Sequence, residues 1–308
     1  MSECNLTRQN IAAARQKKNR GVRTALLFAL PALIYHACFV TLPSLSTIYT
    51  AFFEWNGLSA GKFIGFQNFV EIFTEDIVFF DALMNNFRWL VFFLIFPTVL
   101  GLGIAILVTR QTKGQLVYRA IFFLPYVLSS VVAGAIWSSL FSPYYGVNKI
   151  FQMIGLTKLS KTLWLGDIRI VLYVVASVDC WHYWGFMMVL FIAALHQVDQ
   201  NLYEAVRVEG ANKWQEFIYV TIPGIAPTLV FAVMSTMMWS FTTFDYIWTM
   251  TKGGPGQATE ILSTWIYKNA FINYRGGYAN ALCVIQLLFV VVVFLIQQKL
   301  RRISEEYQ

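Results

Sequence analysis

Charge is scarce in this 308-residue chain: Asp, Glu, Lys and Arg make up 13% of it, against 57% hydrophobic residues. Soluble domains carry about 25% charged residues, so that class is excluded. Cysteine and histidine are sparse and scattered. Cys4, Cys38, Cys180 and Cys283, and likewise His36, His182 and His196, lie far apart. They offer no metal-ligand spacing, no paired disulfide framework and no nucleophile–base constellation, which argues against a metal centre and against a membrane enzyme. The cysteines read as small apolar packing residues. A phosphate-cradling loop of the form G-x-x-x-x-G-K-[ST] is also missing, since the one Gly-Lys pair, Gly61-Lys62, is followed by Phe63. Nucleotide hydrolysis therefore belongs elsewhere. No internal repeat is evident.

What the chain does have is apolar length. Six runs long enough to cross a bilayer core fall at 24–45, 87–108, 120–141, 168–194, 225–249 and 277–297. They predict an all-α polytopic membrane protein with six transmembrane helices. Aromatic residues, 17% of the chain, suit interfacial belts and packed spans. Pro31, Pro97 and Pro125 sit inside spans and are expected to kink them.

The net charge of +7 raises a nucleic-acid reading, which the placement of the charges answers. Segments 1–23, 109–119, 195–224 and 298–308 carry twice as many basic as acidic residues, whereas 46–86, 142–167 and 250–276 carry equal numbers. By the positive-inside rule both termini are expected in the cytoplasm, and the basic stretch 15–23 is a topology signal with no nucleic-acid partner. The first run is expected to stay as a permanent span, not a cleaved signal, because it is long and five spans follow. The predicted organisation is a basic cytoplasmic tail (1–23), a membrane domain (24–297) and a short cytoplasmic tail (298–308). The external segments predict a surface helix within 61–86, an amphipathic stretch at 147–154 and a sharp turn at Thr251-Lys252-Gly253-Gly254-Pro255-Gly256-Gln257.

The loop at 195–224 differs in kind from the others. Residues 203–209 and 212–220 predict two short polar helices on either side of Gly210, closed by Ile222-Pro223. Glu204, Arg207, Glu209, Lys213 and Glu216 are expected to be exposed, with Ala205, Val208, Trp214, Phe217 and Ile218 available for packing. Glu204-Ala205, Gly210 six residues further on, and Ile218 followed by Ile222-Pro223 resemble the EAA loop of permease subunits from ATP-binding-cassette importers. Val206, Glu209 and Ile222 stand where the family favours Ala, Asp and Leu. Ala211, Trp214-Gln215 and Phe217 fit the sugar-importer branch. The resemblance extends to 63–73, 122–125 and 244–256.

The resemblance implies the permease fold of type I importers (maltose and glycerol-phosphate permease-like) in a multi-pass cell-membrane protein. It implies a second, similar permease, two ATP-binding subunits that hold ATP and Mg, and an extracellular or periplasmic solute-binding protein. It also makes Glu204, Ala205, Gly210, Ile218 and Pro223 the residues that couple to the ATPase. No cofactor is expected in this chain itself.

Ionisable groups at membrane depth are costly and point to function. Asp179, His182, Tyr183 and Phe186 fall at helical spacing on one face of the fourth span, and Thr236, Trp239, Ser240 and Thr243 repeat that spacing on the fifth. Carboxylate, imidazole, hydroxyl and aromatic groups together suit a polyhydroxylated solute. The resemblance places these eight residues along the substrate pathway, while an Asp179–His182 pair or hydroxyl-mediated helix packing are the structural alternatives. Asp245 is expected to pair locally. With no Lys or Arg between Ile170 and Ala194 or between Ile225 and Met250, neutral sugars fit better than glycerol phosphate or another anion. The rival class is an ion-coupled secondary transporter using Asp179 and Asp245. Uptake that persists after the proton gradient is collapsed, with ATP retained, is the expected result; its loss would select the rival.

Overall fold

The structure, a computed structural model, describes residues 27–109 and 114–306. Cys4, the basic stretch 15–23 and residues 110–113 lie outside the described residues. The elements in chain order are α1 (Leu27–Thr50), a hairpin of β1 (Phe53–Glu54) and β2 (Lys62–Phe63), α2 (Gln67–Thr74), α3 (Ile77–Thr109), α4 (Gln115–Val127) and α5 (Ser130–Leu140). They continue with α6 (Val147–Met153), α7 (Val171–Leu195), α8 (Gln200–Val208), α9 (Lys213–Gly224), α10 (Ala226–Thr242), α11 (Asp245–Met250), α12 (Leu262–Tyr267) and α13 (Gly276–Glu306).

Among the described residues four helices are long and apolar enough to cross a membrane, and six spans result if each of two bent pairs is one span. Counted so, the number matches the six spans expected, and the bends show where two of them depart from a single straight helix. The third span breaks by 93° between α4 and α5. Pro125 remains within α4, and the chain turns extended only at Leu128 and Ser129, three residues later. Ile222-Pro223 does not close the second loop helix either, because α9 runs through it and bends by 72° into α10. α10 then stops at Thr242, short of the expected 249, and a separate turn of helix, α11, follows.

Two π-turns have a common cause. One spans Ala37–Thr41 and the other Phe217–Thr221, each two residues before a proline, Pro43 and Pro223. A proline ring collides with the carbonyl four residues back, here Phe39 and Tyr219, and a wider turn moves that carbonyl away.

The second span starts at Ile77, ten residues before the apolar run does. Asp81, Asn85 and Asn86 obscure that beginning in the sequence, and the two asparagines are tolerated because they are used. Asn85 Nδ2 donates to the carbonyls of Ala258 (3.2 Å) and Glu260 (3.0 Å). Asn86 Nδ2 donates to Ser240 O (3.1 Å), while its Oδ1 accepts from Leu262 N (2.9 Å). Arg88 Nη1 donates to Asn85 Oδ1 at 3.0 Å. The N-terminal part of α3 thus ties down the segment entering α12 and the end of α10.

The main core surrounds α7, which buries side chains on nearly every turn against α3, α4 and α10. A second core joins the end of α1 with α2, α12 and α13. By contrast, α1 buries nothing in its most apolar window. α2 lies within the segment expected to hold a surface helix, and α6 covers most of the amphipathic stretch.

α4 lies so close to α7 that a Cβ at Gly185 would come within 2.5 Å of Phe122 O and 2.9 Å of Phe123 Cα. These are backbone atoms and cannot rotate aside. Gly185→Leu should therefore cost about 1–3 kcal/mol of stability, read as a lowered melting temperature in detergent. An unchanged melting temperature would mean that α4 is free to move off α7.

Candidate functional site

Of the four candidates on α7, Asp179, His182 and Tyr183 are buried and Phe186 is half-buried. Asp179 and His182 do not bond to each other. Asp179 Oδ2 accepts from the Trp239 indole Nε1 at 3.2 Å, so the spans on either side of the loop are linked by this bond. His182 Nε2 lies 2.9 Å from the Leu128 carbonyl oxygen, at the break of the third span. A carbonyl only accepts, so Nε2 carries the hydrogen and a neutral ring leaves Nδ1 as an acceptor. Nδ1 and Asp179 Oδ1 are buried and have no hydrogen-bond partner among the described residues. Helix breaks in a bilayer strand carbonyls that lipid cannot satisfy, and His182 supplies the missing donor.

On α10 the four candidates separate. Thr236 and Ser240 are fully buried, and their hydroxyls donate back to Ala232 O (2.7 Å) and Thr236 O (2.8 Å) of their own helix. Trp239 is 40% exposed and stacks on Tyr183, with ring centroids 5.8 Å apart. Thr243 is buried where α10 ends. Asp245 pairs locally, accepting from Ser130 Oγ at 2.5 Å, so the starts of α5 and α11 meet across the two breaks.

Two participants escaped the sequence reading. Tyr126 stacks on Phe186 at 5.4 Å and lies beside His182 at 5.5 Å. Tyr246 is buried against His182 at 5.9 Å. Tyr126 directly follows Pro125, a signal that pointed only to a kink.

In the loop, α8 begins with Asp199 accepting from Asn201 N, and α9 begins with a reciprocal cap between Asn212 and Gln215. Between them Gly210 has φ +86°, a left-handed conformation that strains other residues. Glu204, Ala205 and Ile218 are exposed. So are Val208 (89%) and Trp214 (67%), so that of the five apolar side chains expected to be available for packing only Phe217 is half-buried. Glu216 reverses its expectation as well. It is buried because Arg207 clamps it through Nε (2.9 Å) and Nη2 (3.2 Å), and Lys213 adds a third contact at 3.2 Å. Tyr203 Oη bonds Thr221 Oγ1 at 3.0 Å, which further fastens α8 to α9. The loop is thus a clamped unit that leaves apolar side chains exposed alongside its charged ones.

Residues 98–303 match the family described as the binding-protein-dependent transport system inner membrane component. The chain belongs to this family, and is a multi-pass inner-membrane transport permease with the ABC-importer permease fold. It is 34% identical over 284 residues to the probable ABC transporter permease YurN of Bacillus subtilis, covering 91% of this chain and 96% of that one. It is 31% identical to the probable starch degradation products transport permease AmyD of Thermoanaerobacterium thermosulfurigenes, covering 88% and 91%. It is also 32% identical to the diacetylchitobiose uptake permease NgcF of Streptomyces coelicolor, covering 84% and 78%. A chain of a bacterial alginate ABC transporter, solved with its substrate-bound periplasmic protein, superposes with a TM-score of 0.80 at 24% identity, covering 92% and 96%.

The clamp gives a pH prediction. Hydrogen bonds from Arg207 pull the Glu216 carboxyl down to about 2 from its ordinary 4.5, and the pairing raises the Arg207 guanidinium in turn. A value lowered by folding means stabilisation that is complete above 4.5 and lost as the pH falls towards 2. Hydrogen-exchange protection of α8 and α9, corrected for intrinsic rate, should hold from neutral pH down to about 4.5 and then decline as the pH falls towards 2. In Glu216→Gln this decline should be absent; the same decline in the variant would place its cause elsewhere.

Proposed function

We propose that this chain is the transmembrane permease subunit of an ATP-driven, binding-protein-dependent carbohydrate importer. It forms half of the translocation pathway, with both termini in the cytoplasm, residues 24–297 as the membrane domain and 195–224 as its coupling loop. The observation that carries the coupling role is the clamped loop: two short helices locked to each other, with Glu204 and the apolar residues Ala205, Val208 and Trp214 facing outward. Leaving such a surface uncovered is unfavourable, and a groove in an ATPase subunit gives it a partner.

ATP and Mg belong to two such partner subunits. Their closure moves α9, and with it α10, so that the pathway alternates between inward and outward states. A second homologous permease is supported by α1, a 24-residue apolar helix with nothing buried in its most apolar window. The outer turn at 253–256 faces the solute-binding protein. Glu204 pairs with a basic residue of the ATPase, and Gly210, Ile218 and Pro223 set the angle at which the loop is presented.

Sugar as the solute is supported by two relatives whose names specify starch degradation products and diacetylchitobiose. The chemistry at membrane depth agrees: Asp179, His182, Tyr183, Phe186, Thr236, Trp239, Ser240 and Thr243 combine acceptors, hydroxyls and aromatic rings without a cation. A doubly charged phosphate ester finds no counter-charge there.

Gly210→Asp and Glu204→Lys should leave ATP hydrolysis running while sugar uptake falls by about tenfold or more, measured together in proteoliposomes of the full complex. Wild-type uptake in both variants would refute the coupling role.

A further inference from the structure

The β1–β2 hairpin and the start of α13 enclose a cleft of about 410 Å³. With the termini in the cytoplasm, this cleft opens on the outer face of the membrane. Its walls are fixed from within. The Trp55 carbonyl accepts from Gly277 N at 2.9 Å, and a Cβ at Gly277 would fall 1.8 Å from Phe53 O, so hairpin and helix are in backbone contact. Trp55 Nε1 donates to Ser59 O at 2.9 Å, and Asn56 Oδ1 accepts from Leu58 N, Ser59 N and Ser59 Oγ. Asn68, which is buried, donates to the carbonyls of Ala51 (2.8 Å) and Phe53 (3.0 Å). On the α13 side Arg275 is held by both oxygens of Glu71 and lies 4.2 Å over the Tyr278 ring. A cleft built in advance loses little entropy when a ligand enters it.

Two features of the lining point to a ligand. Tyr274 borders the cleft with 62% of its surface exposed and φ +53°, a left-handed conformation that a bulky side chain adopts under strain. Strain of this kind persists where the surroundings impose it, and it clusters at ligand sites. Glu54 and Lys62 also line the cleft and are cross-strand partners, yet among the described residues neither makes an ion pair. An anion drawn to Lys62 would meet Glu54, and a cation drawn to Glu54 would meet Lys62. A neutral solute rich in hydroxyls escapes that conflict, since it donates to the carboxylate and accepts from the ammonium. We propose that this cleft binds a neutral sugar unit at the outer face of the permease. Glu54 and Lys62 hold its hydroxyls, and the rings of Trp55 and Tyr274 meet its C–H surface. The proposal rests on the carbohydrate reading above and adds a site that shares no residue with α7 or α10.

The test uses the complete complex of permease and ATPase subunits in nanodiscs without the solute-binding protein. Radiolabelled maltotriose and diacetylchitobiose serve as probes in equilibrium dialysis. Glu54→Gln and Trp55→Ala should each weaken binding about tenfold or more. Tyr274→Asn should weaken it about threefold or more while the melting temperature holds or rises, because Asn enters the left-handed region more readily than Tyr. Unchanged binding in Tyr274→Asn would show that the strained ring serves no ligand. Binding that survives all three variants but falls in Asp179→Ala would belong to the membrane-depth residues and overturn the cleft. Should Trp55→Ala fail to assemble, Glu54→Gln and Tyr274→Asn alter exposed side chains and supply the same comparison.

A second readout is resolved at the site itself. With 5-fluorotryptophan incorporated, the resonance missing in Trp55→Phe identifies residue 55. Titration with either sugar should move it, and Glu54→Gln should require about tenfold more sugar for the same shift. A resonance unmoved by both sugars overturns the proposal. One that moves only with sugar-free solute-binding protein makes the cleft a docking surface for that protein and overturns it equally. Uptake by the complex in proteoliposomes with its solute-binding protein tests the carbohydrate reading separately. Uptake of a probe together with an unmoved resonance overturns the cleft alone, whereas a moved resonance without uptake upholds the cleft and counts against sugar as the transported solute.

Discussion

Lipid can neither donate nor accept a hydrogen bond, so a chain that breaks its helices at membrane depth must satisfy the loose ends from within. This permease breaks two of its spans, and much of its interior polarity answers that requirement. His182 donates to Leu128 O where α4 gives way to α5. Ser130 at the start of α5 donates to Asp245 at the start of α11. Asn86 donates to Ser240 O near the end of α10 and accepts from Leu262 N on the entry to α12. The unbroken α7 and α3 serve as the fixed members, and the broken spans are fastened to them at the points of fracture.

The same arrangement separates stiff regions from yielding ones. α8 and α9 are locked by Arg207–Glu216, Lys213–Glu216 and Tyr203–Thr221, and α9 passes into α10 through a 72° bend at a single residue, Ile225. A displacement of the clamped pair therefore reaches α10 before it can be absorbed within the loop. Packed cores switch between discrete arrangements and do not deform gradually. Under the proposed coupling, the places left to switch are the breaks at Leu128-Ser129 and Thr243-Phe244, which lie beside Asp179, His182 and Trp239.

Much of this architecture is legible in the composition and periodicity of the chain, because burial in lipid imposes long apolar runs. α7 and the apolar part of α13, Gly276–Ile296, fall within a few residues of their expected bounds, and the two-helix loop hinged at Gly210 is present. What the sequence conceals is consistently a matter of partners. The beginning of α3 is obscured because Asn85 and Asn86 look like loop residues until the carbonyls they bind are in view. The fracture after Pro125 looks like a mild kink because the donor that permits it, His182, lies 54 positions away. Glu216 reads as another exposed acid until Arg207, nine residues earlier, folds back over it. Spacing along one helix assigns a face; it cannot say which neighbour meets that face.

Asp179 and His182 illustrate the last point most sharply. Both satisfy the sequence criterion for a transport site, an ionisable group inside a span. Yet each is directed at a protein atom, the first at an indole N–H and the second at a backbone carbonyl. Their remaining acceptors, Asp179 Oδ1 and His182 Nδ1, are buried and unpartnered among the described residues. A polar group in that condition is expensive to keep, by roughly 1–3 kcal/mol each. Replacing either residue by an apolar one would remove that cost but would also release Trp239 or strand Leu128. The strain is thus the consequence of holding a broken span and an exposed ring in fixed places with side chains that have more hydrogen-bonding capacity than the site uses.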